Sequence, residues 1–333
     1  MHDPANQAPP PSSPRDTAET AAGSSGLGGP LSPDSSARAA TDTPAPATPD
    51  TSTPEEEESM ETTSMEFLGP EHLQALRLRE DPFEPAESPE NIFMYGPLNH
   101  IEAALMRGIH RRHVLAVVGP PGAGKSTILR RLYGKSSREK RVRMLSSALI
   151  NRKEIDHSAL TVAILRDLIG EPPRGMSKEQ RADLLRNTLE DHARAEIYPA
   201  LVIDEAHLLK TTALLALKHL WDSHTMFRQL AIIMVGQLPL QGKLRSDPAL
   251  RELTGRTRIL DIPELGKHTA AYLRWRFARV GGDADQVFSE DAYEALAMRG
   301  KYPLWINNLA VKAIHYAHAM GEERVTARCV GRA

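Results

Sequence analysis

The sequence reads as an α/β protein built on a parallel sheet, with an all-helical segment after the sheet and an unstructured tail before it. Three observations carry this. Between about residues 98 and 262, short apolar runs alternate with amphipathic stretches of a dozen or so residues, the pattern of a parallel sheet with helices on both faces. One of those runs, Val114–Val118, leads into a glycine-rich turn and then a helix. After Pro263 the apolar spacing is helical throughout, while before Met65 no periodicity is visible.

The tail comes first. Residues 1–64 hold 11 of the 25 prolines and no aromatic residue, the first being Phe67. They carry 11 acidic and 2 basic side chains, including the run Glu55–Glu58, which leaves 39 basic and 32 acidic groups for residues 65–333. The formal charge of −2 therefore averages an acidic tail of −9 with a body of +7. A segment of this composition has too little apolar surface to offset its chain entropy and is expected to be disordered.

The body follows in order. Leu98, Ile101, Ala104, Leu105 and Ile109 recur at helical spacing over 98–109. Val114–Val118 is a strand, and a helix starts near Lys125. A second strand covers 141–146, and helices cover 158–169 and 177–194, the latter with Ser177 as N-cap. Ala200–Ile203 is a third strand, followed by a helix over 211–222. Leu230–Val235 and Thr257–Ile262 complete the strands. Helices over 267–280, 289–299 and 303–320 then form a smaller all-α unit. The expected boundaries are 1–64 for the tail, 65–262 for the sheet domain and 263–333 for the helical unit. Leu273, Phe277 and Val280 recur at core spacing.

Residues 119–126 read Gly-Pro-Pro-Gly-Ala-Gly-Lys-Ser, which is G-x-x-x-x-G-K-S between a strand and a helix. Such a loop wraps phosphate in backbone N–H groups, and the helix behind it turns its positive end to the anion. The binding set is Gly119, Pro120, Pro121, Gly122, Ala123, Gly124, Lys125, Ser126 and Thr127. Lys125 is suited to bridge β- and γ-phosphates and Ser126 to ligate Mg²⁺. The third strand ends in Asp204-Glu205, delivering two carboxylates to the edge where open α/β sheets bind ligands. Asp204 is placed as a Mg²⁺ ligand and Glu205 as the group that polarises an attacking water, on a strand neighbouring that of the phosphate loop. The alternative is a surface acidic pair that caps the next helix. Gln237, after the fourth strand, either contacts a γ-phosphate or satisfies its own turn. Arg256 and Arg258, near the fifth strand, either reach the γ-phosphate of a neighbouring subunit or are ordinary surface cations.

Taken together these motifs resemble the AAA+ ATPases. The stretches Asp81-Pro82-Phe83, Asn91–Tyr95, LVIDEAHLL at 201–209, IIMVGQLPL at 232–240 and FSEDAYEAL at 288–296 are most similar to the ORC1/DEAH-type group that holds the ExeA-like and the TniB/TnsC/MuB-like proteins. The resemblance implies a P-loop NTPase sheet with a helical lid, ATP and Mg²⁺ as cofactors, and a homo-oligomer that forms with ATP. It gives Gln237 the sensor-1 place and Arg256 the role of trans-acting finger, and encloses adenine between residues 91–95 and the lid. One departure is clear. ExeA-like lids commonly read Gly-x-Pro-Arg, whereas this chain has Lys301-Tyr302-Pro303-Leu304, and Leu304 cannot donate to phosphate. Arg299 and Lys301 stand nearby as substitutes.

Transposition-type relatives are soluble and assemble on double-stranded DNA to recruit a partner transposase. A basic body supplies salt-dependent phosphate contacts of that kind. Candidate DNA contacts are Arg138, Lys140, Arg141 and Arg143, and the loop with Asn151, Arg152 and Lys153. The other readings are a secretion or envelope-assembly ATPase of the ExeA type and an ATP-binding switch with little hydrolysis. A helicase is disfavoured, since the DEAH tetrad there accompanies a second RecA-like lobe.

Several classes are excluded. The N-terminus has no apolar signal region and is too acidic for a transit peptide. No apolar run is long enough to span a membrane. The single cysteine, Cys329, permits no internal disulfide. The expectation is a cytoplasmic protein. The pairs His110/His113 and His315/His318 have no cysteine or carboxylate partner in sequence to complete a metal site.

Overall fold

The computed structural model describes residues 66–85, 88, 91–146, 155–171, 174–222 and 229–333. The tail expected over 1–64 and the candidate DNA contacts Asn151, Arg152 and Lys153 lie outside the described residues.

The elements run α1 (Pro70–Ala75), α2 (Gly96–His110), β1 (Val114–Val118), α3 (Lys125–Arg138), β2 (Val142–Leu145), α4 (His157–Ile169), α5 (Lys178–Arg194), β3 (Tyr198–Ile203), α6 (Thr211–Asp222), β4 (Ala231–Gly236), α7 (Leu238–Ser246), α8 (Arg251–Arg256) and β5 (Thr257–Asp261). Beyond β5 lie α9 (Thr269–Arg279), α10 (Ala284–Val287), α11 (Glu290–Arg299), α12 (Pro303–Met320) and α13 (Ala327–Arg332). The predicted elements are all present. Helices α1, α7, α8, α10 and α13 are short additions to them. Helix α5 starts as expected. Ser177 accepts from the Gln180 N–H while the Gln180 side chain accepts from the Ser177 N–H, a reciprocal cap that satisfies two otherwise orphaned donors.

The five strands pair in the order β2-β3-β4-β1-β5, all parallel. This corrects one expectation. Strand β3, which ends in Asp204-Glu205, does not adjoin β1; β4 lies between them. Periodicity reports which face a residue occupies, and says nothing of which strand lies beside it.

Both faces of the sheet are covered. Leu115 and Val117 of β1 pack with α2, α3 and the helices after β5, while Val114, Ala116 and Val118 pack with α4 through α8. That is why β1 is a continuous apolar run and not an alternating one. Each fully buried leucine contributes about 1.5–3 kcal/mol over its exposed state. Leu273 and Phe277 of α9 are buried, with Val280 packed beside them, as their spacing required. The helical segment after β5 shares one apolar core with this face, since Phe277, Phe288, Ile306 and Val311 join Leu115 and Ile233 in a single cluster.

Because every strand runs the same way, their C-terminal ends share one edge. The turns at Gly119, Asp204 and Gln237 therefore converge there. The start of β2, with Arg141 and Arg143, lies at the opposite edge.

Candidate functional site

A cavity of about 420 Å³ opens at that edge. One wall is the loop of residues 121–127 with Glu205 and Gln237. The facing wall is helical and aromatic, formed chiefly by Phe93, Tyr95, Tyr272, Trp275 and Asn307.

The loop has the backbone that phosphate binding needs. Gly122 has φ 74° and Gly124 φ 99°, left-handed conformations that favour glycine. Gly124 is the N-cap of α3, so the first N–H groups of that 14-residue helix face the loop. Lys125 is buried, and its Nζ donates to the Gly119 carbonyl at 2.9 Å and the Pro120 carbonyl at 2.8 Å. Burial lowers its pKa, against the opposing pull of Glu205 and Asp204. An ammonium held by two backbone carbonyls is a cation prepared to exchange them for stronger anionic acceptors. Ser126 and Thr127 also line the cavity.

Asp204 and Glu205 follow β3 directly. Asp204 Oδ1 accepts the Glu205 N–H at 2.9 Å, and Glu205 itself has φ 55°. Glu205 lines the cavity, with its Oε2 3.2 Å from His207 Nδ1. Gln237, the N-cap of α7, donates its backbone N–H to that same Nδ1 at 3.4 Å. Lys243 of α7 secures the turn from below, donating to the His207 and Leu209 carbonyls at 2.6 and 2.9 Å.

The aromatic wall comes from two separate segments. Phe93 stacks on Tyr95 at 6.0 Å and meets Tyr272 edge-on at 5.5 Å, and Tyr272 stacks on Trp275 at 6.2 Å. Burial pushes the Tyr95 hydroxyl up to about 12, so it remains a donor and binds the Pro263 carbonyl at 2.8 Å. Arg276 lies over both Tyr272 and Trp275 and donates to the Glu84 carbonyl at 2.8 Å, fastening α9 to the chain ahead of α2. The structure thus brings residues 91–95 and the helical segment to one cavity with the phosphate-type loop. Tyr272, Trp275, Asn307 and Arg130 also line it and were not singled out in the sequence. The signal for the first two was the second stripe of α9, Tyr272 and Trp275 at i and i+3 beside the core stripe.

Leu304 closes over the loop. Its N–H donates to the Gly122 carbonyl at 3.3 Å, and a Cβ on Gly122 would overlap its side chain. The two cations expected to replace a lid arginine do not reach the cavity: Arg299 donates to the Val330 carbonyl, and Lys301 lies 3.5 Å from Glu264. Arg256 stands at the end of α8 away from this cavity, paired with Asp222 and, at 2.8 Å, with Glu252, and lying over the Trp221 ring. Arg258 is exposed on β5. Of the basic residues around β2, Arg138, Lys140, Arg141 and Arg143 are all exposed. Arg141 pairs with Glu196, and Arg143 donates to the Asp167 carbonyl.

Among the described residues no group of histidine, cysteine or acidic side chains is arranged to hold a metal ion by itself. His110 pairs with Glu139 at 2.6 Å. His315 and His318 pack on His72 of α1, with ring centroids 4.3 and 4.9 Å away.

The sheet, the loop at its edge and the helices on both faces define a P-loop fold of the AAA+ type. The family model described as an AAA domain matches residues 107–244, from the last turn of α2 into α7. Among solved structures, Cdc6p from Pyrobaculum aerophilum is 22% identical, covering 73% of this chain and 67% of that chain with a TM-score of 0.48. The Aeropyrum pernix ORC2 protein, in ADPNP–ADP complexes, is 15% identical over 75% of this chain and 69% of that one, TM-score 0.46. Drosophila ORC bound to DNA is 19% identical over 91% and 69%, TM-score 0.49. No curated protein sequence matches.

Proposed function

We propose that this chain is an ATPase that binds ATP with Mg²⁺, hydrolyses it, and in the ATP state assembles on double-stranded DNA as a regulator of a partner transposase. The carrying observation is the single cavity in which residues 121–127, Glu205 and Gln237 face an aromatic wall. One end suits a polyphosphate and the other the flat face of a base, which aromatic stacking holds.

In this reading residues 65–262 are the ATPase domain and 263–333 its lid. Loop N–H groups and Lys125 bind the phosphates. Ser126 and Asp204 are the oxygen donors available for Mg²⁺, whose charge would offset that of the phosphates. Glu205 orients and polarises the attacking water, Gln237 senses the γ-phosphate, and Arg256 reaches a neighbouring subunit's site. The body's charge of +7 supports the nucleic-acid part, with Arg152 and Lys153 as contacts. Among the described residues no helix is long and apolar enough to cross a membrane, and cytoplasmic placement belongs to the same proposal.

The deciding experiment is the ATPase rate with and without duplex DNA, alongside sizing in ATP and in ADP. The expected result is DNA-stimulated turnover with a larger species in ATP. Turnover indifferent to DNA, with one size in both nucleotides, overturns the DNA-assembly part. Arg152→Ala with Lys153→Ala is expected to weaken DNA binding and leave ATP affinity unchanged. Equal DNA affinity across a salt titration refutes that assignment.

A second reading is favoured by Leu304 on Gly122. With the apolar Leu304 over the loop at the position where ExeA-like lids carry the arginine of Gly-x-Pro-Arg, the chain acts as an ATP-binding switch that scarcely turns over. Tight ATP binding without phosphate release distinguishes it.

A further inference from the structure

Glu205 and Gln237 are separated in sequence and follow different strands, yet one atom touches both. His207 Nδ1 lies 3.2 Å from Glu205 Oε2 and accepts the Gln237 N–H at 3.4 Å. A ring nitrogen has one site in the ring plane: either a lone pair or a proton. It can accept from the Gln237 N–H or donate to the Glu205 carboxylate, and it cannot do both. In the present state it accepts, so the carboxylate faces a lone pair and is not held by it. The surroundings leave little room for another arrangement. The His207 side chain is only 13% exposed. A Cβ on Gly236 would come within 3.0 Å of the His207 backbone nitrogen, so the β4 end and this turn are in close contact.

Resting on the ATPase reading, we infer that His207 is a positioning residue that couples the Gln237 turn to Glu205. When the Gln237 backbone turns toward a bound γ-phosphate, its N–H leaves Nδ1. The freed position takes the ring proton from the other nitrogen by tautomer exchange through solvent, and Nδ1–H then donates to Glu205. The carboxylate is thereby fixed only when the far end of the nucleotide is sensed. His207 touches neither nucleotide nor water; it acts through Glu205.

The test is steady-state ATP hydrolysis by the full chain with His207→Ala and His207→Asn, with nucleotide affinity measured separately by a fluorescent ATP analogue. The turn should survive both changes, because Lys243 holds it through the backbone carbonyls of residues 207 and 209. The expected result for His207→Ala is kcat lower by ~10–100-fold, the scale on which misplacing a reacting group acts, with KM and ATP affinity within about twofold of the parent. Asparagine presents an acceptor and a donor near the place of Nδ1, and His207→Asn should recover most of kcat. Parental kcat in His207→Ala overturns the inference. So does a parallel change in kcat, KM and affinity, or a His207→Asn no better than His207→Ala. Glu205→Gln serves as the control. If it loses turnover while His207→Ala keeps it, only the coupling fails; if it keeps parental turnover, the assignment of Glu205 fails; and if the parent chain itself releases no phosphate, the ATPase reading beneath both fails.

Discussion

The two walls of the cavity are built by opposite means. The sheet-edge wall is polar and mostly local: residues 119–127 are contiguous, their geometry comes from two left-handed glycines and a helix start, and Glu205 and Gln237 join them from the ends of β3 and β4. The facing wall is apolar and assembled at a distance, with Phe93 and Tyr95 ahead of α2 meeting Tyr272 and Trp275 of α9 and Asn307 of α12. The first wall is specified by what each residue is. The second depends on the whole chain having folded. In the proposed ATPase reading, the first wall would carry the chemistry and phosphate affinity, and the second the base affinity and the order of the helical segment.

The comparison can be broken most severely at Glu205. Glu205→Gln is expected to lower turnover ~10²–10⁴-fold, as loss of a general base does, and to leave ATP bound. A trapped ATP-state oligomer on sizing accompanies it; normal phosphate release would move the chemistry elsewhere. Next comes Lys125→Ala. Losing a charge-assisted contact of about 1.5–3 kcal/mol should weaken ATP by ~10–150-fold, read by calorimetry, with the thermal midpoint without nucleotide nearly unchanged. On the other wall, Trp275→Ala should cost about 1 kcal/mol of base stacking, some fivefold in ATP affinity. Pyrophosphate binding should be untouched. If pyrophosphate weakens equally, the two walls are not separate.

The smallest effect concerns the helical segment's outer anchor. His72 is buried against α12, and its pKa is lowered from 6.5 first by burial and then by His315 and His318, with Glu71 opposing. Its Nδ1 has no hydrogen-bond partner among the described residues. A histidine pKa depressed on folding means that the unfolded chain binds more protons, so this group's contribution is intact above pH 6.5 and is lost as pH falls toward the folded value. The thermal midpoint should therefore fall between about pH 7 and pH 5. His72→Phe should flatten that slope. An unchanged slope would assign the acid sensitivity to other groups.

How much of this was legible follows from the same contrast. The loop at 119–126, the carboxylates at 204–205 and the cap at Ser177 were readable because their physics lies within a few residues. Tyr272 and Trp275 are not legible because the neighbouring stripe of Leu273 and Phe277 carries the stronger periodic signal. The place of β4 between β1 and β3 was not readable, since pairing order depends on which edges meet in space. Nor was the contact of Leu304 with Gly122, because it depends on how α12 returns to the loop. That contact gives the lid departure a definite form: a methyl-bearing side chain lies over the loop at the position where ExeA-like lids carry a guanidinium.

The backbone of Glu205 has a consequence for evolvability. A residue other than glycine in the left-handed region costs about 1–2 kcal/mol, and Glu205 sits there at φ 55°. Asparagine, which tolerates that region better, would make the folded chain sturdier while removing the carboxylate. Mutational drift that favours thermal robustness alone would therefore run toward variants that keep the fold and lose turnover. In the proposed ATPase reading, selection for turnover would be what holds a costly residue at this turn.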